Sequence, residues 1–477
     1  MTDKIFEHIE ILDAGSEGKA VAKTGDLVIF VPFVVPGDIV DIKLVKKKKS
    51  YLEGKAIKFH KYSEKRQEAF CEHFGTCGGC RWQNMKYEEQ LYYKQKQVSD
   101  AIQRIGRIEN SLIRPILASM DSIYYRNKLE YSFSNHRWLE SSDKRDGMRV
   151  DDKEMNALGF HIPLLFDKVL DINHCYLQAD PSNAIRLEAK RYAMEHDLDF
   201  YDVRKWAGFL RNLIIRTSGS GELMVIFVFL TDENKKIKAI LDYILDKFPQ
   251  ITSCYYVING KKNDVISDLP FLHYSGKHCI TEKMTSYDGK KDLEFNIGPS
   301  SFFQTNTKQA ILLYHKAVEL AGFTGDETVY DLYCGIGTIS SFIAGSVRKV
   351  IGIESIPSAV LDAREVAGRN GLPNTLFFEG EAEKLLSPAF FQQHGKPDII
   401  ITDPPRAGMH EKVVKAILEA APSRVVYISC NPATQARDIA LMKDQYELVE
   451  CQPVDMFPHT QHVENIALFR KKIPLDL

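Results

Sequence analysis

No run of apolar residues in this chain of 477 approaches the ~20 needed to cross a bilayer. The opening Met1-Thr2-Asp3-Lys4 lacks the basic-then-apolar layout of a secretion leader. A cytoplasmic location and no membrane partner are therefore expected. Neither charge is in excess: 62 basic and 64 acidic side chains leave a net charge of −2, so bulk charge points to no anionic partner. There is no internal repeat and no low-complexity tract, which excludes solenoid and fibrous architectures. The nine cysteines come without a leader, so a disulfide framework is not expected. What remains is a chain with 44% hydrophobic and 26% charged residues, an ordinary globular balance. It is too long for one core, so roughly two to four domains are expected, in a chain that acts as a monomer.

Charge is uneven along the chain. Lys46 to Lys49, Lys55, Lys58, Lys61 and Lys65 crowd between Lys43 and Arg66. Such a stretch can track phosphates; the plain alternative is a strand edge protected by lysines. Around it, Val28–Pro32, Asp38–Ile42 and Gly54–Ile57 read as short strands broken by Pro36-Gly37, the rhythm of a small barrel. A helix is predicted from about 86 to 105, with Leu91, Val98, Ile102 and Ile105 at helical spacing. From about 124 to 287 the pattern is mixed, with an apolar strand at Leu223–Val228 and a helix at Glu233–Lys247.

From Thr328 the pattern becomes regular. Strands are predicted at Thr328–Tyr333, Val347–Ile353, Thr375–Phe378, Asp398–Thr402, Arg424–Ser429, Tyr446–Cys451 and Asn465–Arg470, the first five separated by helical stretches. That alternation predicts an α/β fold: a Rossmann-like, mostly parallel seven-stranded sheet with helices on both faces. The last two strands have no helix between them and read as an antiparallel edge hairpin.

Strand ends carry the chemistry. Asp331-Leu332-Tyr333-Cys334-Gly335-Ile336-Gly337-Thr338 turns the first strand into the first helix. Glycines there allow close backbone approach, but Ser340 replaces the third glycine of a dinucleotide fingerprint. The acidic residue ahead of the glycines suits a ligand ammonium, as in the methionine part of S-adenosylmethionine. Glu354 closes the second strand, where a carboxylate can accept from both ribose hydroxyls. Asp403 follows the fourth strand in Asp403-Pro404-Pro405-Arg406. Glycine turns and strand-end carboxylates are common singly; the ordered set of three points to a methyltransferase fold.

Cys430-Asn431-Pro432 ends the strand Arg424–Ser429 at the same rim. A lone cysteine is more often inert packing, but its place beside the inferred ligand points to chemistry. Carbon 5 of uracil is a poor nucleophile toward a methyl sulfonium. Thiolate addition at carbon 6 makes carbon 5 enolate-like; a base must then take the carbon 5 proton before the thiol leaves. Glu464, in Phe457-Pro458-His459-Thr460-Gln461-His462-Val463-Glu464, is the candidate base. His459 and His462 read as ordinary polar packing.

Asp331-Leu332-Tyr333-Cys334-Gly335-x-Gly337, Asp403-Pro404-Pro405-Arg406, Ser429-Cys430-Asn431-Pro432 and Pro458-His459-Thr460-x-His462-Val463-Glu464 resemble, in order and spacing, the RNA uracil-5-methyltransferases. Within them the resemblance is strongest to the group that modifies uracil-1939 of 23S ribosomal RNA. It implies Cys430 as nucleophile and Glu464 as general base, with Gln304, Tyr333, Thr338, Glu354, Glu381 and Asp403 on S-adenosylmethionine. The family often has Asn where Thr338 stands, and Asn or Asp near Glu381. Ala14-Gly15-Ser16-Glu17-Gly18-Lys19-Ala20 and Val31-Pro32-x-x-x-Pro36-Gly37-Asp38 resemble a TRAM domain, an RNA-binding barrel. Phe302-Phe303-Gln304-Thr305-Asn306 is similar to the segment that opens the family's catalytic domain. Between about 125 and 285 only short pieces match, such as Tyr125-Arg126-Asn127-Lys128. The expected division is 1–60 TRAM barrel, 61–285 central α+β domain, 286–477 catalytic domain.

Cys71-x5-Cys77-Gly78-Gly79-Cys80 with the distant Cys175 resembles the family's 4Fe–4S site. Thiolates are soft ligands that suit iron–sulfur clusters or zinc, and spacing alone leaves zinc as the alternative. The pattern differs from that of radical S-adenosylmethionine enzymes, and a ligand for every iron leaves none open, so a structural cluster is expected. An amino-group RNA methyltransferase would use a related Asp-Pro-Pro motif, but Arg406 stands where an aromatic usually follows, and Cys430 would have no task. The resemblance favours 23S ribosomal RNA as partner, because transfer-RNA members are taken to lack the cysteine set and the barrel; the same chemistry on another ribosomal uridine or on transfer RNA is the alternative.

Overall fold

The computed structural model describes residues 4–15, 17–108, 112–140, 151 and 153–473. The opening Met1-Thr2-Asp3 and Ser16 of the TRAM-like motif lie outside them.

Five strands, β1 (Ile5–Ala14), β2 (Lys19–Thr24), β3 (Leu27–Pro32), β4 (Ile39–Lys47) and β5 (Tyr51–Lys61), close into a barrel in the order β1-β2-β3-β5-β4. Alternation along each strand sends Ile11, Ala22, Ile29, Val31, Val40 and Ile42 inward to a core of their own. Lys46 to Lys49, Lys55, Lys58 and Lys61 are exposed. β4 pairs on both sides, with β1 and with β5. A closed barrel has no free edge to protect, so edge protection does not account for these lysines.

Helix α1 (Tyr87–Arg104) buries Val98, Ala101 and Ile102 in the same cluster as Tyr330, Ile439 and Met442 of the C-terminal sheet. The middle of the chain, where only two elements were legible, forms a second seven-stranded sheet. It is built from β6 (Lys128–Ser134), β7 (Ala157–His161), β8 (Val169–Asp171), β9 (Leu210–Thr217), β10 (Leu223–Phe229), β11 (Ser253–Ile258) and β12 (Leu272–Gly276). The order is β12-β11-β10-β9-β6-β7-β8, and only β10 and β11 run parallel. Helices α2 (Ser182–Glu195) and α3 (Asn234–Lys247) pack into its core through Ile185, Ala189, Ile237 and Ile240. β9 and β10 are buried on both faces, so neither shows the period-two signal of a half-exposed strand. A hairpin, β13 (Ile280–Thr285) with β14 (Asp292–Ile297), packs into the C-terminal core through Ile280, Met284, Leu293 and Phe295. Thr285, where the central domain is expected to end, is the last residue of β13.

After α4 (Thr307–Ala321) come β15 (Thr328–Leu332), α5 (Thr338–Ile343), β16 (Lys349–Glu354), α6 (Pro357–Arg369), β17 (Thr375–Glu379), α7 (Ala382–Leu385), α8 (Pro388–His394), β18 (Ile399–Thr402), α9 (Glu411–Ala420), β19 (Arg424–Ser429), α10 (Pro432–Met442), β20 (Tyr446–Val454) and β21 (Glu464–Lys471). The sheet order is β17-β16-β15-β18-β19-β21-β20, with β21 antiparallel to both neighbours. The carboxyl ends of β15, β16, β18 and β19 share one rim, where open α/β sheets take ligands. Among the described residues no helix is long and apolar enough to cross a membrane.

Candidate active site

The glycine turn begins at Asp331 in β15. Its side chain is 1% exposed, not presented to a ligand as the motif led us to expect. Oδ2 accepts from the Ser340 amide at 3.0 Å and the Ser340 hydroxyl at 2.6 Å, so the carboxylate anchors the first turn of α5. Oδ1 is buried without a partner. Burial pushes this acid up to about 7, against the pull of the Ser340 bonds. Tyr333 follows at φ 63°, donating its amide to the Ile353 carbonyl; burial pushes its phenol up to about 12. Gly337 takes φ 74° and caps α5, and a Cβ there would meet the Phe377 ring at 2.9 Å. Thr338, the first residue of α5, is half-buried beside it.

Glu354 is buried at the end of β16. Oε2 accepts from the Gly335 amide at 3.1 Å, and Oε1 from the Ser355 and Ile356 amides at 2.7 and 2.9 Å. It thus ties the glycine turn to the neighbouring strand end. Gln304 is half-buried ahead of α4, its carbonyl accepting from the Asn127 side chain at 2.9 Å. Asn127 also donates to Thr307 at 3.0 Å, which shows what the short Tyr125-Arg126-Asn127-Lys128 match does: it ties the central sheet to the start of α4. Glu381 is set apart. It is exposed at the N-cap of α7, pairs with Lys384 at 2.5 Å, and is held below its usual range by that lysine.

Cys430 and Glu464 come together through register. Ser429 of β19 pairs with Asn465 of β21, so Cys430 and Glu464 are the next residues outward on adjacent strands. Burial pushes Glu464 up to about 8; Asp403 raises it further and Arg406 opposes. Burial likewise pushes the Cys430 thiol up to about 11, with Glu464 and Asp403 adding and Arg406 opposing. Asp403 stands at about 7, raised by burial and then by Asp331. Three acids and a thiol thus converge on one rim, with Arg406 as the cation that acts on Glu464 and Cys430.

Arg406 is held from α10. Its carbonyl accepts from Asn431 at 3.1 Å and from Thr434 at 3.2 Å, while Asp438 accepts from the Met409 amide at 2.8 Å. The loop after β18 and the helix after the thiol are therefore one unit. Sequence reasoning missed Tyr314 of α4. Its phenol is pushed well above its usual value by burial and by the charges of Asp403, Asp331 and Glu464. It reads as one more apolar position on a helix face, and no sequence signal sets it apart. His459 and His462 are both pushed down to about 4, chiefly by burial, in keeping with polar packing.

Cys71, Cys77, Cys80 and Cys175 line one cavity of about 740 Å³, beside Arg126 and Thr460. The segments that carry them are joined where His73 accepts from the Asn173 amide at 2.9 Å. Burial pushes Cys77 up to about 11 and Cys80 up to about 12, and the other cysteines raise both further. Among the described residues, the one group of three metal-ligating atoms within 4.8 Å of one another is His8, Asp41 and His60.

A family profile described as tRNA (Uracil-5-)-methyltransferase matches residues 276–472, and a TRAM domain profile matches residues 7–57. A protein of Bacteroides thetaiotaomicron named an uncharacterized RNA methyltransferase is 53% identical over 95% of this chain and 99% of its own length. One of Chlorobaculum tepidum, similarly named, is 39% identical over 97% of this chain and 96% of its own. Among solved structures, the Pyrococcus abyssi tRNA (uracil-54, C5)-methyltransferase in complex with S-adenosyl-L-homocysteine superposes with a TM-score of 0.74 and 28% identity, over 96% of this chain and 99% of that one. A transfer-RNA enzyme aligned this fully cannot lack the counterpart of the whole barrel. The barrel therefore does not separate ribosomal from transfer-RNA enzymes as expected.

Proposed function

The chain belongs to the RNA uracil-5-methyltransferases that carry a TRAM domain, and we propose that it methylates carbon 5 of a uridine in 23S ribosomal RNA, at a uracil-1939-type site, through a covalent adduct on Cys430. S-adenosylmethionine supplies the methyl group. The observation that carries the reading is the adjacency of Cys430 and Glu464 at a ligand-binding rim, with Asp403 and Arg406 around them.

In this reading the Cys430 thiolate forms a bond to carbon 6 of the uracil. Carbon 5 takes the methyl group, Glu464 takes the carbon 5 proton, and the sulfur–carbon bond breaks to release the product. A carboxyl held at about 8 is matched to that proton transfer near neutral pH. Gln304, Tyr333, Thr338, Glu354 and Asp403 are proposed to contact S-adenosylmethionine; Glu381, exposed and paired with Lys384, is the weakest member of that set. The uridine must leave its stack to reach the thiol. The exposed lysines of the barrel are proposed to follow the phosphates.

Cys71, Cys77, Cys80 and Cys175 are proposed to hold a 4Fe–4S cluster that supplies structural cross-linking. Buried thiols crowded in one cavity ionise only beside a cation, so the donor set fits a metal centre. A single zinc held by the same four thiolates is the alternative. The division 1–60, 61–285 and 286–477 stays a proposal.

A second reading, transfer RNA as substrate, is favoured by the Pyrococcus abyssi enzyme's superposition over almost the whole chain. Mapping 5-methyluridine in ribosomal and transfer RNA from a strain lacking the gene decides: loss from 23S ribosomal RNA alone supports the proposal, and loss from transfer RNA alone overturns it.

A further inference from the structure

We propose that Gln90 and Lys94 of α1 are positioning residues for Glu464: they lock the turn that delivers it over Cys430. The inference rests on the reading of Glu464 as base.

The turn between β20 and β21 begins at Asp455 and carries His459 before reaching Glu464. Lys94 and Asp455 are both fully buried and pair at 2.5 Å. Lys94 also donates to the Phe457 carbonyl at 2.9 Å. Two residues on, His459 adopts φ 64°, a left-handed conformation that costs energy for a residue with a Cβ. Gln90 holds it there, accepting from the His459 amide at 2.9 Å, while its own NH2 donates to the Met85 and Trp82 carbonyls at 2.8 and 2.9 Å and so fixes the side chain. The His459 carbonyl accepts from the Arg81 and Trp82 amides at 2.8 and 3.0 Å, directly after Cys80. A buried ion pair is a weak source of stability, since desolvation offsets most of its attraction, but breaking one half of it is severe. Its use here is geometric. A base displaced by about 1 Å from its proton can cost on the order of 10²-fold in rate.

The proposal separates two steps. Formation of the sulfur–carbon 6 bond and methyl transfer need Cys430, not Glu464; removal of the carbon 5 proton and release of the sulfur need Glu464. A displaced base therefore leaves the methylated RNA bound to Cys430. The experiment uses the full chain, ordinary uridine RNA and S-adenosylmethionine, with denaturing gels to count the adduct. The variants are Gln90→Leu and the paired apolar swap Lys94→Met with Asp455→Leu, beside Glu464→Gln. We expect all three to accumulate the adduct, with turnover down about 10²-fold and KM for S-adenosylmethionine within about twofold of the parent. If Glu464→Gln accumulates adduct while neither α1 variant does, the clamp is overturned and the base assignment stands. If Glu464→Gln also gives none, the base assignment falls and takes the clamp with it. If both α1 variants lose folded protein, the network is structural and the positioning role is overturned.

Discussion

Cys430 and Glu464 stand side by side on antiparallel neighbours, one residue beyond the Ser429–Asn465 pair, and burial, with the Glu464 carboxylate adding to it, holds the Cys430 thiol above its usual range. Neutralising the carboxylate must therefore ease ionisation of the thiol. Glu464→Gln is expected to shift the pH of half-maximal iodoacetamide labelling at Cys430 downward from about 11. An unchanged or higher midpoint would contradict the coupling.

The two ionisations set a sign for the pH dependence of the reaction. In the proposed mechanism the thiolate and the carboxylate are the active forms, and the two groups stand at about 11 and about 8. The second-order rate of adduct formation should rise by about tenfold per pH unit between pH 7 and 9. A flat profile over that range would mean that bound RNA or another group has already ionised Cys430.

Asp331 is a stability cost built into the rim. Folded, its carboxyl stays protonated up to about 7; unfolded, it ionises near 4. Between those values the unfolded chain binds fewer protons, so stability falls as pH rises. Asp331→Asn keeps an oxygen for Ser340 and removes the buried charge. Thermal unfolding should show a gain on the order of 1–3 kcal/mol at pH 8 and none at pH 4. A loss at pH 8 would contradict it.

Gly337 has no room for a side chain, because an added methyl would meet Phe377 at 2.9 Å in a left-handed conformation. Gly337→Ala should weaken S-adenosylhomocysteine binding by about tenfold or more in calorimetry, while RNA affinity holds. Unchanged binding would move the cofactor away from this turn.

The cysteine cavity makes a prediction with two readouts. Protein purified anaerobically should be brown and contain iron and acid-labile sulfide in equal amounts. Cys80→Ser should remove the colour and lower the unfolding temperature, since a metal that binds only the folded state stabilises it. A colourless protein with stoichiometric zinc would replace the cluster by a zinc site.

How much of this was legible in the chain differs by region. β15 to β21 were readable because helices separate five of them and because a buried parallel strand such as Arg424–Ser429 is a continuous apolar run. Cys430 and Asp403 were readable because strand ends in such sheets face the ligand. The central sheet was not: β9 and β10 are covered on both faces, and neighbours such as β6 and β9 lie far apart in sequence. Asp331 was seen as an acid but not as a buried one, since its partner Ser340 lies nine residues on across the turn. Gln90 and Lys94 look like solvent-facing residues of a polar helix; the return of residues 455–459 meets both, and Gln90 also meets the Trp82 and Met85 carbonyls.

The central claim is that sulfur at residue 430 adds to the uracil ring. RNA carrying 5-fluorouridine tests it most directly, because fluorine at carbon 5 cannot leave as the proton does and the adduct stays. Incubated with S-adenosylmethionine, digested and weighed by mass spectrometry, the enzyme should show a methylated fluorouridine joined to the peptide containing Cys430, and Cys430→Ala should show none. An adduct on another residue, or full methylation of ordinary RNA by Cys430→Ala, would contradict the account.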